Sequence, residues 1–288
     1  MDTFEEVNHP GAIAAKNGMI SLNPLSFNPF DSKDNVTMAL DVAYKPDADS
    51  VPFDQFVRQL LPEEEYQYFR HAIGYAVLGN PVKKKLFLLY GKHGDNGKSL
   101  LINSICDVLG PVYAGPMGVN TFAKSRSGKP TPELMNIKGK RIGCIGDADK
   151  DIKIDSGMLK QLLGGSDEVS GRELYGQQES FKPVVVPFLN SNSFVPMDLT
   201  DLALRRRVVV IPFEAKFVEK PTKKYERLQD KDLRDSFETV SGREGILKWI
   251  VDCSIGYLMN PKGLQPTPKM EEYKRIYVEK MDGDIMSE

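Results

Sequence analysis

Lys85-Leu86-Phe87-Leu88-Leu89-Tyr90-Gly91-Lys92-His93-Gly94-Asp95-Asn96-Gly97-Lys98-Ser99 is the stretch on which the reading of this chain turns. Leu86 to Tyr90 is an unbroken apolar run, as expected of a parallel strand buried on both faces. A glycine-rich loop follows, and from Lys98 to Leu109 the pattern is helical until Gly110-Pro111, a stop signal. Strand, glycine-rich loop and helix in that order can cradle the phosphates of a nucleotide. Backbone N–H groups form the nest, glycines permit the necessary dihedrals, and the helix N-terminus adds positive potential. Gly94, Asp95, Asn96, Gly97, Lys98, Ser99 and Leu100 are therefore the candidate ATP-binding residues. Lys98 would reach the β- and γ-phosphates, and the Ser99 hydroxyl would ligate Mg²⁺. The strict spacing G-x-x-x-x-G-K-S wants a glycine where Lys92 stands; Gly91 is one residue early, so the loop is expected to be one residue longer.

Working outward, Arg141–Gly146, Val184–Leu189 and Val208–Phe213 are three more apolar runs that read as buried strands. Strands alternating with helical segments predict an α/β fold with a parallel sheet over residues 82–215. Asp147 and Asp149 directly follow the first of these runs, where ATP hydrolysis needs one carboxylate for Mg²⁺ and another for the attacking water. Alone, Gly-Asp-Ala-Asp-Lys also reads as a turn; the phosphate loop upstream favours the catalytic reading, with Asp147 as the metal ligand. Residues 1–50 show turns and short strands, and Phe53 to Leu78 reads as two helices, the second begun by Pro62. Together they make an N-terminal accessory module over 1–81. Residues 216–288 read as a helical C-terminal region, with an amphipathic helix from Gly245 to Met259 around Trp249.

The chain has 288 residues, 41% hydrophobic and 27% charged, and no apolar run near the ~20 residues that span a bilayer, which excludes a membrane-spanning helix. Its acidic start, Met1-Asp2-Thr3-Phe4-Glu5-Glu6, shows no secretory signal. Cys106, Cys144 and Cys253 are scattered and read as free structural thiols of an intracellular, reducing compartment. His9, His71 and His93 are equally dispersed, so no His/Cys zinc constellation is visible. The net charge of −2 conceals an uneven distribution: residues 1–80 carry 5 Lys/Arg against 12 Asp/Glu, whereas residues 81–150 carry 12 against 5. A polyanionic partner, if there is one, should meet that second block rather than the first, but on charge alone a solvated face with chance clustering is the expected reading.

Further blocks extend the pattern. They are Gly139-Lys140-Arg141, Asp147-Ala148-Asp149, Leu159-Lys160-Gln161-Leu162-Leu163-Gly164-Gly165, and Gly171-Arg172-Glu173-Leu174-Tyr175-Gly176 with Phe181-Lys182-Pro183. Asn190-Ser191-Asn192, Asp201, and Arg206-Arg207 before Ile211-Pro212-Phe213 complete them. In this order and spacing, Leu86 to Phe213 resembles the superfamily 3 helicase domain of viral, phage and plasmid primase-helicases, of the poxvirus type. The likeness extends more loosely to Lys16-Asn17-Gly18 and to the tail around Gly245–Tyr257.

That resemblance implies an AAA+-type ATPase with a P-loop core and an inserted β-hairpin, flanked by small helical modules. It further implies a homo-oligomeric, hexameric ring that binds ATP and Mg²⁺ between subunits and moves along single-stranded DNA during replication. By position, Asn192 would be the polar sensor of the lytic water, with an ordinary turn asparagine as the alternative. Arg206 and Arg207 match an arginine pair, one of which would act on the neighbouring subunit's γ-phosphate; a solvated basic turn is the alternative. Lys160 matches a lysine near the nucleotide. Residues Val169 to Val185 resemble the hairpin that projects into the ring pore, which makes Arg172, Tyr175 and Lys182 the DNA-contact candidates, with packing an equal alternative for Tyr175. Two departures stand out: the family usually has glutamates where Asp147 and Asp149 stand, and the block Ser166 to Arg172 is one residue longer than its pattern. No primase motif occurs, so such activity would belong to an N-terminal part of a larger polypeptide. Two rival readings are a P-loop kinase of small molecules and an ATP-binding ring scaffold or loader that does not unwind.

Overall fold

The structure, a computed structural model, describes residues 9–31, 34, 36–81, 84–122, 132–146, 154–164, 168–172 and 176–285. β1 (Ala12–Ala15), β2 (Gly18–Leu22) and β3 (Leu25–Asn28) form a small antiparallel sheet, followed by α1 (Val51–Leu60) and α2 (Glu63–Val77). The core then runs β4 (Leu86–Tyr90), α3 (Lys98–Tyr113), β5 (Ala114–Pro116), α4 (Pro132–Met135), β6 (Ile142–Ile145), α5 (Ser156–Leu162), β7 (Val169–Arg172) and β8 (Gln178–Phe181). It closes with β9 (Val186–Ser191), α6 (Leu202–Arg205) and β10 (Val208–Pro212). After it come β11 (Lys216–Val218), β12 (Glu226–Leu228), α7 (Leu233–Glu238), α8 (Val240–Leu258) and α9 (Pro268–Ile285).

Five strands make the central sheet in the order β10-β4-β9-β6-β5, and every pair is parallel. The continuous apolar runs follow from burial on both faces. Phe87, Leu89, Phe188, Val209 and Ile211 point to one side, under α1, α2, α3 and α8. Leu86, Leu88, Val208 and Val210 point to the other, where Leu159 and Leu162 of α5 and Tyr277, Val278 and Met281 of α9 cover them. β5 carries no signal of its own: three residues, Ala-Gly-Pro, suffice only because an edge strand pairs on one side. The helix stop at Gly110 is a break rather than an end; Gly110 takes φ 53° and the helical path resumes to Tyr113.

The N- and C-terminal segments pack on each other as well as on the sheet. Trp249 of α8 meets Phe53 of α1 with ring centroids 5.2 Å apart and Phe69 of α2 at 6.5 Å. At the centre of this layer the Asp54 carboxylate accepts hydrogen bonds from Trp249 Nε1 at 2.9 Å, from Arg58 Nε at 2.9 Å and from the Tyr66 hydroxyl. Burial raises the Asp54 carboxyl, but these three donors outweigh it and hold it below its ordinary value. A depressed carboxyl contributes stability that is present above the unfolded value of about 4 and is lost as the pH falls through the folded one. Asp54→Ala would leave the buried Trp249 and Tyr66 donors without this acceptor, so urea unfolding should show a loss of about 2–4 kcal/mol. That deficit should shrink below about pH 4, where the wild type itself loses the contribution.

Two expectations are corrected. Cys106 of α3 and Cys144 of β6 form a disulfide, their Cα atoms 7.3 Å apart, so only Cys253 is a free thiol, and it is buried. The pair is 38 residues apart in sequence and meets because α3 lies against β6. Nor is the cationic block 81–150 one solvated face. Lys84 is buried and donates to the carbonyls of Leu162 and Pro183, and Arg141 is fully buried with Nη1 on the Val77 carbonyl at 2.7 Å. Burial lowers the Arg141 guanidinium to about 10, while its plane lies 4.2 Å from the Tyr113 ring. Among the described residues no helix is long and apolar enough to cross a membrane.

Candidate active site

The candidate phosphate loop leaves the carboxyl end of β4 and runs from Gly91 to Gly97, where α3 begins. Gly91 is needed for space: a Cβ there would lie 2.3 Å from Asn96 Nδ2 and 2.7 Å from Lys98 Nζ. Gly97 is needed for conformation, with φ 76°, and a Cβ there would meet Leu60 of α1 at 2.6 Å and Phe217 of β11 at 3.3 Å. Gly94 has open space around it, and the other left-handed residue of the loop is Asp95, with φ 56°. The Asp95 carbonyl accepts from Phe217 N–H at 2.7 Å, so α1 and β11 clasp the loop from outside the sheet.

Lys98 is 2% exposed, and its Nζ donates to Asn192 Oδ1 at 2.8 Å. The two residues are 94 apart in sequence and meet because β4 and β9 are neighbours, with Tyr90 paired to Ser191. One strand position earlier stands Asn190, which the motif reading quoted without a role. Its Nδ2 donates to Ser99 Oγ at 2.9 Å, and its Oδ1 is buried with no hydrogen-bond partner among the described residues. The structure thus brings Lys98, Ser99 and Asn192 together and adds Asn190. Asn96 packs inside the loop on the His93 carbonyl at 2.5 Å, and Leu100 lies half-buried on the first turn of α3. Asp147 and Asp149 lie outside the described residues.

Lys160 on α5 forms an ion pair with Asp201, whose other oxygen caps α6 through Ala203 N–H at 2.9 Å and Leu204 N–H at 3.0 Å. The Lys160 ammonium and those backbone donors hold the Asp201 carboxyl below its ordinary range. Asp201 therefore anchors the short helix that leads to Arg206 and Arg207. Both arginines stand where β10 begins: Leu86 N–H donates to the Arg207 carbonyl at 3.0 Å, and Lys85 Nζ to that of Arg206 at 2.8 Å. β10 and β4 run parallel in register from Val208–Leu86 to Pro212–Tyr90, and at 3.3 Å per residue Gly91 lies about 20 Å further along the strands than Arg207. The arginines and the candidate phosphate loop thus lie at opposite ends of the parallel strands.

β7 and β8 form an antiparallel hairpin between α5 and β9, with Val169 paired to Phe181 and Arg172 to Gln178. Lys138 Nζ braces it through Glu179 at 2.7 Å. Lys182 is exposed just after β8, Arg172 ends β7 half-buried, and Tyr175 lies outside the described residues.

Residues 3–62 match the family described as "D5 N terminal like", and residues 89–207 match a "Family of unknown function (DUF5906)". "Putative helicase L207/L206" of Acanthamoeba polyphaga mimivirus is 29% identical over 214 residues, which cover 72% of this chain and 22% of that protein. "Putative primase C962R" of African swine fever virus (isolate Warthog/Namibia/Wart80/1980) is 30% identical over 153 residues, 52% of this chain and 16% of that one. "Putative helicase V13" of Sputnik virophage is 23% identical over 268 residues, 87% and 33% respectively. The chain therefore spans between about a sixth and a third of the length of these relatives. Among solved structures, the apo C-terminal region of NrS-1 (A form) shares the fold with a TM-score of 0.61 at 14% identity, covering 96% of this chain and 59% of that one. The D5 N-terminal-like match, the viral relatives named helicase and primase and the shared fold are all consistent with the superfamily 3 primase-helicase family that the motifs of this chain resemble.

Proposed function

We propose that this chain is the ATP-hydrolysing, DNA-translocating part of a viral replication primase-helicase and that it works as a hexameric ring. The observation that carries the proposal is the Lys98–Asn192 hydrogen bond beside Ser99, at the carboxyl edge of a parallel sheet. In this reading Lys98 exchanges Asn192 for the β- and γ-phosphates when ATP binds. The Asn192 amide, so released, orients the attacking water, and Asp147 or Asp149 accepts its proton. The donor set fits a hard cation: a serine hydroxyl held in place, with an unpartnered amide oxygen beside it. Ser99 and Asp147 would hold Mg²⁺, which when bound neutralises charge on the transferred phosphoryl group. Arg206 and Arg207, at the far edge of their own sheet, act on the γ-phosphate bound to the next subunit. The β7–β8 hairpin lines the pore, with Arg172, Tyr175 and Lys182 on single-stranded DNA. The names of the viral relatives support a role in replication.

ATPase assayed with and without single-stranded DNA tests this. Turnover stimulated by DNA is expected. DNA-independent turnover of a small acceptor would indicate a kinase, and nucleotide binding without hydrolysis a scaffold or loader. Lys182→Ala should weaken single-strand binding several-fold and lower the slope of log K against log salt by about 0.7, the share of one phosphate contact, while basal ATPase stays near wild type. A fluorescence-anisotropy salt titration reads this. An unchanged slope would remove Lys182 from the DNA path.

A further inference from the structure

Asn190 is out of place as a purely structural residue. It ends an otherwise apolar run, Val186-Pro187-Phe188-Leu189, in the middle of the sheet, is 5% exposed, and faces Leu89 across the β4–β9 pair. A buried amide needs partners on both its oxygen and its nitrogen, and an orphaned half carries a desolvation cost that an aliphatic side chain would avoid. Here one half is used, Nδ2 donating to Ser99 Oγ at 2.9 Å, and the other half is the buried, unpartnered Oδ1. Within one planar amide the two atoms lie side by side, so the orphaned acceptor belongs to the same corner of the site as the Ser99 hydroxyl.

We infer that Asn190 is a positioning residue for the divalent cation, an inference that rests on the nucleotide-site reading above. A serine hydroxyl has one proton and two lone pairs. With the Asn190 N–H on one lone pair, the hydroxyl cannot rotate freely, and the second lone pair stays available to a metal. Mg²⁺ dehydrates reluctantly and keeps several of its waters, so a fixed amide oxygen beside the ligand is a ready acceptor for a metal-bound water. The orphaned Oδ1 is then explained: its partner arrives with the cation.

The test uses the whole chain, the fluorescent nucleotide mant-ADP and Mg²⁺, with Mn²⁺ followed by electron paramagnetic resonance as a direct measure of metal binding. Asn190→Leu keeps the side-chain shape and removes both hydrogen-bonding groups. It should raise the Mg²⁺ or Mn²⁺ concentration for half-saturation about 10- to 100-fold, the usual scale for a group that orients a metal ligand, while mant-ADP affinity in EDTA stays within about twofold. Asn190→Thr, which can still donate to Ser99, should recover most of the loss and serves as the folded reference if the leucine variant melts early. In a Ser99→Ala background the leucine substitution should add nothing, because the two act as a unit. Equal metal dependence in wild type and Asn190→Leu, or additive effects with Ser99→Ala, would overturn the inference while leaving the nucleotide site intact. A wild type whose mant-ADP binding ignores Mg²⁺ altogether would overturn the nucleotide-site reading itself.

Discussion

Lys98→Ala is expected to lower the ATPase turnover by about 10³-fold or more. One preorganised donor to a developing charge is worth about 10²–10³ in rate, and this lysine would meet the leaving and transferred phosphates together. Phosphate release under steady-state conditions reads the loss. Lys98 is buried and hydrogen-bonded to Asn192, so its removal also leaves the Asn192 oxygen without this donor. A thermal melt of the same protein, together with Lys98→Met, which keeps most of the side-chain volume, separates lost chemistry from lost structure. Turnover within about twofold of wild type in either variant would refute the assignment of the loop.

The second large effect concerns Arg206 and Arg207. They precede β10 while the candidate phosphate loop follows β4 at the opposite end of parallel strands, about 20 Å further along them, and on this separation rests the proposal that they act on a neighbouring subunit's nucleotide. Arg206→Ala or Arg207→Ala should leave nucleotide affinity nearly normal and lower the rate by about 10³-fold or more, the scale of a lost arginine finger. Complementation is the decisive measurement. A Lys98→Ala subunit contributes intact arginines and a dead loop, and an arginine variant contributes the converse. Mixing the two inactive proteins should therefore restore ATPase at the mixed interfaces, since a head-to-tail ring shares each site between neighbours. An inactive mixture in which native mass measurements detect mixed rings would show that the pair does not act in trans.

Asp201 adds a subtler control on the same machinery. It caps α6 and pairs with Lys160, so its substitution disturbs the segment that presents the arginines without touching the phosphate loop. Asp201→Ala should lower turnover while mant-ADP binding stays unchanged.

Much of the fold was legible because its signals are local. The runs at Leu86, Ile142, Val186 and Val208 are apolar at every position, which only strands covered on both faces require. The phosphate loop is contiguous, so its glycines, Lys98 and Ser99 announce themselves in one reading of nine residues. β5 was not legible: Ala-Gly-Pro has no strand pattern, and its pairing depends on β6 offering an edge. The Cys106–Cys144 disulfide was likewise hidden, since nothing local brings a residue of α3 to a residue of β6.

By itself, then, the sequence determined the four long buried strands of the sheet, the helices α1, α2, α3 and α8 and the glycine-rich make-up of the loop, because hydrophobic period and glycine placement act over a few residues. The short strands β5, β11 and β12 lay outside its reach, the last two within a segment read as helical. Which strands become neighbours was decided only in three dimensions. Setting β4 between β9 and β10 carries Asn192 to Lys98 and Asn190 to Ser99 across more than 90 residues of chain, and sends the two arginines to the far edge of the sheet. The same burial of both sheet faces decided that α1, α2 and α8 form one layer. That layer presses Leu60 against Gly97, with Phe217 of β11 beside it, and so links the terminal segments to the loop. Such contacts arise from the simultaneous covering of apolar surface by distant elements, a condition on the whole chain that no short window of residues contains.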